Sequence, residues 1–460
     1  WHSGLPADER SFFYPGVSGS LVLTDALNLE SDLLNFVKIR AGLATSGNDL
    51  EPYLTQTVFL TNSGLGNNIA NIDFPFRNNN AQGLSNRIGN ENLQPEFTTE
   101  FEVGTEMRLL DNRIGIDFTY YDRRTTDQIV PIDISPSTGY WTAIANIGQV
   151  SNTGIEVGLD LTPIRTTGGF SWNIFSAFTR NRNTVDEIGN GLSEIFVGGF
   201  GNSVRIVHRE GEPYGQILGS VAARHTDGQL LVDQNTGKLI EKTEFEVIGD
   251  PNPDFILGVT NTFSYKGFSL NFLVDWRKGG DMFSDTYTQL FGRGLTQETI
   301  PDLDRGRELT LVIPGVLGDP STQNAVLDDN GQVITNGTQL TVNDWFFINT
   351  FGTAGPDEFA VFDASTIRLR EVTLSYQLPQ RLLEVTPFGS ASVSVTGRNL
   401  WYEAYNFPNS LNFDPETSSL GSGNVQNLGA DSDGSGNAQG IDFGVIPTTR
   451  RFGVNLRLTF

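Results

Sequence analysis

A two-residue alternation of apolar and polar side chains recurs along this chain and limits what it can fold into. Its plainest copy is Arg451–Phe460. Phe452, Val454, Leu456, Leu458 and Phe460 take every second position, with Gly453, Asn455, Arg457 and Thr459 between them. A strand sends successive side chains to opposite faces, so this segment has one apolar and one polar face. The pattern returns in Phe101–Leu109, Ile114–Tyr120, Ile155–Leu161, Phe170–Phe178, Val259–Tyr265 and Phe268–Trp276. A strand of a soluble sandwich alternates in the same way, so the choice between sandwich and membrane barrel rests on the remaining features.

The apolar phase of these segments carries no charge. On a lipid-facing wall a mid-bilayer Lys or Arg costs about 2–4 kcal/mol. A sandwich core also excludes charge. It does not need repeated hairpin arms of about ten residues, the length at which a tilted strand crosses a bilayer. No apolar run reaches the ~20 residues of a transmembrane helix, and a barrel needs none.

The connections alternate in length. Short turns fall at Asp111–Asn112, Gly168–Gly169 and Lys266–Gly267, with a compact one over Pro379–Pro387. Long connections rich in Gly, Asn, Asp, Ser and Thr run over about 45–96, 124–151, 182–254, 279–364 and 403–447. By parity the long ones share one side, the asymmetry of outer-membrane barrels with their long loops outside the cell. One strand changes phase: Ile367 and Leu369 are followed by Val372, Leu374 and Tyr376, which predicts a β-bulge near Arg370–Glu371.

The fold class expected is therefore all-β, a transmembrane antiparallel barrel. The strand count is about 11, or about 13 if Arg205–Arg224 adds a hairpin. An odd count whose first and last strands both run towards the short-turn side leaves two unpaired edges, which a bilayer does not tolerate. The expectation is that upstream strands exist outside these residues, which open on Trp1.

Composition narrows the function. The net charge is −24, which disfavours nucleic acid as a partner. Cys is absent and the three His stand at 2, 208 and 225, so thiol chemistry is excluded and no histidine metal spacing exists. No phosphate loop or nucleophile elbow is present, so no catalysis and no required cofactor are expected.

Two sets of candidate site residues remain. Asp431, Asp433, Ser435, Asn437 and Asp442 follow the spacing of a calcium-binding loop, with Gly436 in the sixth place. The set departs from that pattern at the fifth and twelfth places and lies in a long polar connection without flanking helical patterns, so a plain flexible loop is the competing reading. Tyr140 and Trp141, with Trp401, Tyr402 and Tyr405, stand beside strand ends. They read either as an interfacial aromatic girdle or as a stacking surface for cargo.

Several motifs in order resemble the SusC-like TonB-dependent transporters of Bacteroidetes-type bacteria. They are Asn92-Leu93-Gln94-Pro95-Glu96, Asn146-Ile147-Gly148 with Asn152-Thr153-Gly154-Ile155-Glu156, and Ile248-Gly249-Asp250-Pro251-Asn252-Pro253-Asp254-Phe255. Tyr265-Lys266-Gly267-Phe268, Asp275 to Gly280, Ile367 to Tyr376 with Pro379, Gly397-Arg398-Asn399-Leu400 and Pro447 to Arg450 complete the set. The resemblance covers roughly Phe12 to Phe460. It implies the C-terminal part of a barrel of about 22 strands in the outer membrane. It also implies an N-terminal plug and a TonB-contacting segment outside this sequence, reached by TonB–ExbB–ExbD. A SusD-like lipoprotein lid would cover the mouth, and such pairs could assemble as dimers. The function implied is energised import of an oligosaccharide or oligopeptide. A lidless siderophore or vitamin receptor and a non-transporting structural barrel stay open, as, more remotely, does a soluble β-rich adhesin.

Overall fold

The computed structural model describes the chain apart from residues 1–2, 30, 49–51, 62–64, 68–69, 73–74, 76, 81, 190, 200–202, 300–308, 343, 345–354, 409–413, 417–438, 443 and 445–447. Eleven strands form one sheet: β1 Gly16–Val22, β2 Leu34–Asn48, β3 Glu96–Leu109, β4 Ile114–Thr126, β5 Gln149–Arg165, β6 Phe170–Glu187, β7 Phe255–Tyr265, β8 Phe268–Lys278, β9 Thr366–Gln377, β10 Ser390–Glu403 and β11 Arg451–Thr459. Every strand pairs antiparallel with its neighbours in sequence, a pure meander. Outside the register shifts, backbone groups inside the sheet therefore find partners on the next strand. The outer edges of β1 and β11 have no partner among the described residues.

The burial pattern is inverted relative to a soluble sandwich. Phe452 and Val454 are each 76% exposed and Leu456 61%, while the buried apolar residues cluster in the connections. Residues directly opposite one another share a face, so the register carries each face across the sheet. One row reads Leu159, Ser176, Val259, Val274 and Leu369, on the apolar face. The adjacent row reads Gly115, Asp160, Phe175, Thr260, Leu273 and Glu371, on the face that holds the charges. The apolar face is the outer, lipid-side wall; the other lines the interior.

Aromatic side chains gather at two levels of the outer wall. Near the short turns Trp172 stacks on Phe263 at 5.6 Å and Phe268 packs on Tyr376 at 4.4 Å. Near the long connections Phe178 and Trp276 both pack on Phe255, at 5.5 and 4.9 Å. Phe255 and Phe263 are eight residues apart on β7, about 27 Å along a strand. At a tilt of about 40° that leaves a band of about 20 Å, close to the apolar belt of an outer-membrane barrel. Asn261 is polar in this band, and its side-chain oxygen accepts a hydrogen bond from the Trp172 indole at 3.1 Å.

The short turns follow from their residues. Lys266 and Gly267 have φ of +46° and +87°, the two left-handed positions that suit the right-handed twist of a hairpin. A Cβ at Gly267 would stand 2.9 Å from the carbonyl oxygen of Gln377. Gly267→Ala is expected to destabilise the wall by about 1–2 kcal/mol, measured as a lower urea midpoint for unfolding from lipid vesicles.

The described residues of three long connections are folded together. Connections 188–254, 279–365 and 404–450 pool strands and side chains into one body above the wall. Leu231–Asp233 of the first pairs in parallel with Val316–Asp319 of the second. Phe283 of the second pairs with Ile441 of the third. Val204, Ile206, Ile217, Phe283, Ala360 and Ile441 form a shared core. The hairpin expected within Arg205–Arg224 exists as Arg205–His208 and Gln216–Gly219. It belongs to this body, in a four-stranded sheet with Ile195–Gly199 and Glu246–Gly249. That corrects the thirteen-strand alternative. These short strands lack the outward apolar stripe a wall strand needs, and all four residues of Gln216–Gly219 are buried.

Candidate functional site

The inner wall and the loop body above it hold the polar chemistry. On the inner wall Arg40 of β2 reaches Glu102 of β3 at 3.2 Å and Asp117 of β4 at 2.8 Å, and donates to the Thr119 hydroxyl. The guanidinium lies flat because residue 104, beneath it, is glycine. A Cβ there would stand 2.8 Å from Arg40 Cζ.

A second polar centre forms where β9 bulges. Leu273 pairs with Glu371 and Val274 with Leu369, so Arg370 is the extra residue. The bulge puts Arg368, Arg370 and Glu371 all on the inner face. Arg368 is 2% exposed and Asp414 is fully buried. Both guanidinium Nη atoms of Arg368 donate to the Asp414 carboxylate, one at 3.1 Å, and its Nη1 also meets Thr448 Oγ1 at 3.2 Å. The guanidinium lies over the Tyr402 ring, 4.9 Å from its centroid. Arg370 donates to Glu416 at 2.7 Å through both Nη atoms and to Asp275. Asp414 and Glu416 flank Pro415, so a three-residue step of connection 404–450 is latched onto the inner wall. Burial alone would raise the Asp414 carboxyl; the Arg368 and Thr448 contacts outweigh it and hold it below the usual carboxylate value. The latch is therefore present above the ordinary carboxylate pKa and is lost only as pH falls through the lowered one.

The body itself is clamped at Asp357. This carboxylate accepts from the Ser220 N–H at 2.9 Å, the Ser220 hydroxyl at 3.1 Å and the Ser203 hydroxyl at 3.0 Å. Glu358 adds the Ala222 N–H at 2.8 Å and Arg224 at 3.0 Å.

Nearby, His208 is buried against Tyr214, ring centroids 3.8 Å apart, and its Nδ1 accepts from the Gly215 N–H at 3.1 Å. Burial is the larger influence and pushes the imidazole down to about 4, against a raising hydrogen bond at Val207. An unfolded histidine takes a proton near pH 6.5, which the folded one resists, so stability is full above about 6.5 and falls between there and about 4. The expected loss is about 3 kcal/mol at 1.36 kcal/mol per unit. Hydrogen exchange of residues 205–219, corrected for intrinsic rate, should rise steeply from pH 6.5 to 4.5 in the wild type and much less in His208→Gln. An identical rise in both would refute it.

The residues singled out in the sequence divide among several places. Trp401 lies opposite Leu369, on the outer face, and Tyr405 accepts from the Trp276 indole at 3.3 Å. They extend the outer aromatic level. Tyr402 lies opposite Arg368 on the inner face, beneath its guanidinium. Tyr140 and Trp141 stand apart, beside the small sheet of Ile129–Asp133, Thr142–Asn146 and Arg87–Ile88. The five aromatics thus do not converge on one surface. Asp431, Asp433, Ser435 and Asn437 lie outside the described residues. Asp442 is buried and accepts from the Ser284 hydroxyl at 2.9 Å. Among the described residues no three His, Asp or Glu side chains are grouped to hold a metal ion. Sequence reasoning placed the bulge but missed the Arg368–Asp414 latch; the one available signal was Arg368 standing next to the phase slip.

Residues 7–199 match the family model described as TonB dependent receptor-like, beta-barrel. The chain is 24% identical to TonB-dependent receptor P3 of Formosa agariphila over 98% of its own length and 42% of that protein's. It is 24% identical to TonB-dependent receptor SusC of Bacteroides thetaiotaomicron over 59% of its length and 28% of that protein's. It therefore spans less than half the length of these curated relatives. Among solved structures, the RagAB peptide importer in its open-open state superposes with a TM-score of 0.66 at 19% identity, covering 100% of this chain and 44% of that one. At that identity the likeness speaks for the fold. With its outward apolar wall, inward charges and one-sided long connections, the chain is an outer-membrane β-barrel protein, and its residues 7–199 are similar to the TonB dependent receptor-like barrel.

Proposed function

We propose that this chain forms part of the wall and mouth of a TonB-dependent importer that carries a bulky nutrient, an oligosaccharide or oligopeptide, across the outer membrane. The observation that carries the reading is the open sheet of eleven strands, apolar outside and charged inside, with three long connections folded into one body on a single side. The free edges of β1 and β11 would each expose a row of unpaired backbone groups to lipid, which costs several kcal/mol per group. Further strands must pair there, and we assign them to sequence beyond these residues, together with a plug inside the barrel and a segment that contacts TonB. The loop body is the seat for a SusD-like lipoprotein lid, and the names of the relatives support that partner.

The test is purification of the intact outer-membrane complex in detergent, with native mass spectrometry and nutrient uptake measured with and without TonB. A larger polypeptide containing this sequence, a co-purifying lipoprotein and TonB-dependent uptake are expected. Uptake that proceeds equally without TonB would refute the importer reading.

A further inference from the structure

We propose that a recess in the inner wall, floored by the reclined ring of Tyr121, binds a cationic side chain of a basic oligopeptide. The proposal rests on the import reading and narrows its cargo.

The recess of about 480 Å³ lies on the inner faces of β2 to β6. Tyr121 of β4 lies across β5, and its hydroxyl donates to the Asn181 side-chain oxygen on β6 at 3.0 Å. It can recline because residue 154, beneath it, is glycine: a Cβ there would stand 2.4 Å from the phenol carbon and oxygen. Asn181 in turn donates to Asn152 at 3.1 Å, which fixes the amides at the rim. An upright tyrosine would fill the space; a reclined one paves it and offers a ring to the interior.

The charges of the recess do not cancel. Arg40 is taken up by Glu102 and Asp117, and Arg123 by Glu100. Glu156 also lines the recess, is exposed, and has no hydrogen bond or ion pair with any described residue. A free carboxylate beside an aromatic ring offers a guanidinium or ammonium both a charged hydrogen bond and a cation–π contact. A neutral sugar would stack on the ring but leave the carboxylate without a counter-charge.

An independent feature points to the same cargo. The net charge of −24 resides mostly in the long connections; residues 279–365 alone hold thirteen acidic and three basic side chains. These connections stand on one side, over the entrance, where their field concentrates cations and repels anions.

The test uses the purified complex and two fluorescein-labelled pentapeptides that differ only in a central Lys or Gln. The Lys peptide is expected to bind about tenfold more tightly, the worth of one charged hydrogen bond, and to weaken steeply with salt. Glu156→Gln should bring its affinity down to that of the Gln peptide, while Glu156→Asp should restore part of the difference. Tyr121→Leu should weaken the Lys peptide as well. Equal binding of the two peptides, binding of neither, or an unaltered preference in Glu156→Gln overturns the site. The import reading is judged separately, on whether uptake of any nutrient depends on TonB.

Discussion

Arg368→Ala is expected to destabilise the protein by about 3–5 kcal/mol, the usual cost of removing one partner of a buried ion pair. Asp414 is fully buried and takes both Nη atoms of Arg368 as well as the Thr448 hydroxyl. With Arg368 gone, the buried carboxylate loses its cationic partner and keeps neutral donors such as the Thr448 hydroxyl and the N–H of Glu416 at 3.1 Å. The step at Asp414–Glu416 should then leave the inner wall, since Arg370 holds Glu416 on a more exposed face. Limited proteolysis of connection 404–450 in detergent would show this as faster cleavage and a lower unfolding midpoint. Adding Asp414→Ala to Arg368→Ala should recover part of the loss, because the stranded charge is removed along with its partner. Unchanged cleavage and stability in Arg368→Ala would mean the latch contributes nothing.

The second large effect discriminates the two faces of a single strand. Val259 lies in the mid-level apolar row of the outer wall, and Thr260 faces the interior between Phe175 and Leu273. Val259→Arg should cost about 2–4 kcal/mol, the depth-dependent penalty for a lipid-facing arginine near mid-bilayer. Thr260→Arg should cost well under 1 kcal/mol, since the side chain points into the lumen, away from lipid, in a row that also holds Asp160 and Glu371 beyond its two apolar neighbours. The comparison is made on urea unfolding from vesicles and on the fraction of each variant assembled in the outer membrane. A larger cost for Thr260→Arg would reverse the assignment of the faces.

Much of the wall could be read from the chain. Most strand interiors follow from alternation, as in Ile155–Leu161 and Phe268–Trp276, because a strand's side-chain period is a property of its own backbone. The Lys266–Gly267 turn and the bulge at Arg370 were legible for the same reason: each is a local event, a pair of residues that accept positive φ or a break in phase. The aromatic residues were legible as standing beside strand ends, but not as inner or outer. Trp401 and Tyr402 are neighbours that face opposite ways, and which of them faces inward depends on the register shift at Leu369/Glu371 in the β9–β10 pairing.

The sequence by itself therefore determined the all-β class, the two faces of the wall, the side on which the long connections lie and the exclusion of thiol and histidine-metal chemistry. Only the tertiary structure decided that three of the long connections share a core, that Arg368 meets Asp414 forty-six residues away, and that Tyr121 crosses one strand to reach Asn181 on the next. The first group depends on geometry within a few residues. The second depends on which strands pair and in what register, and on apolar side chains such as Val204, Phe283 and Ile441 that lose contact with water only when three distant connections meet.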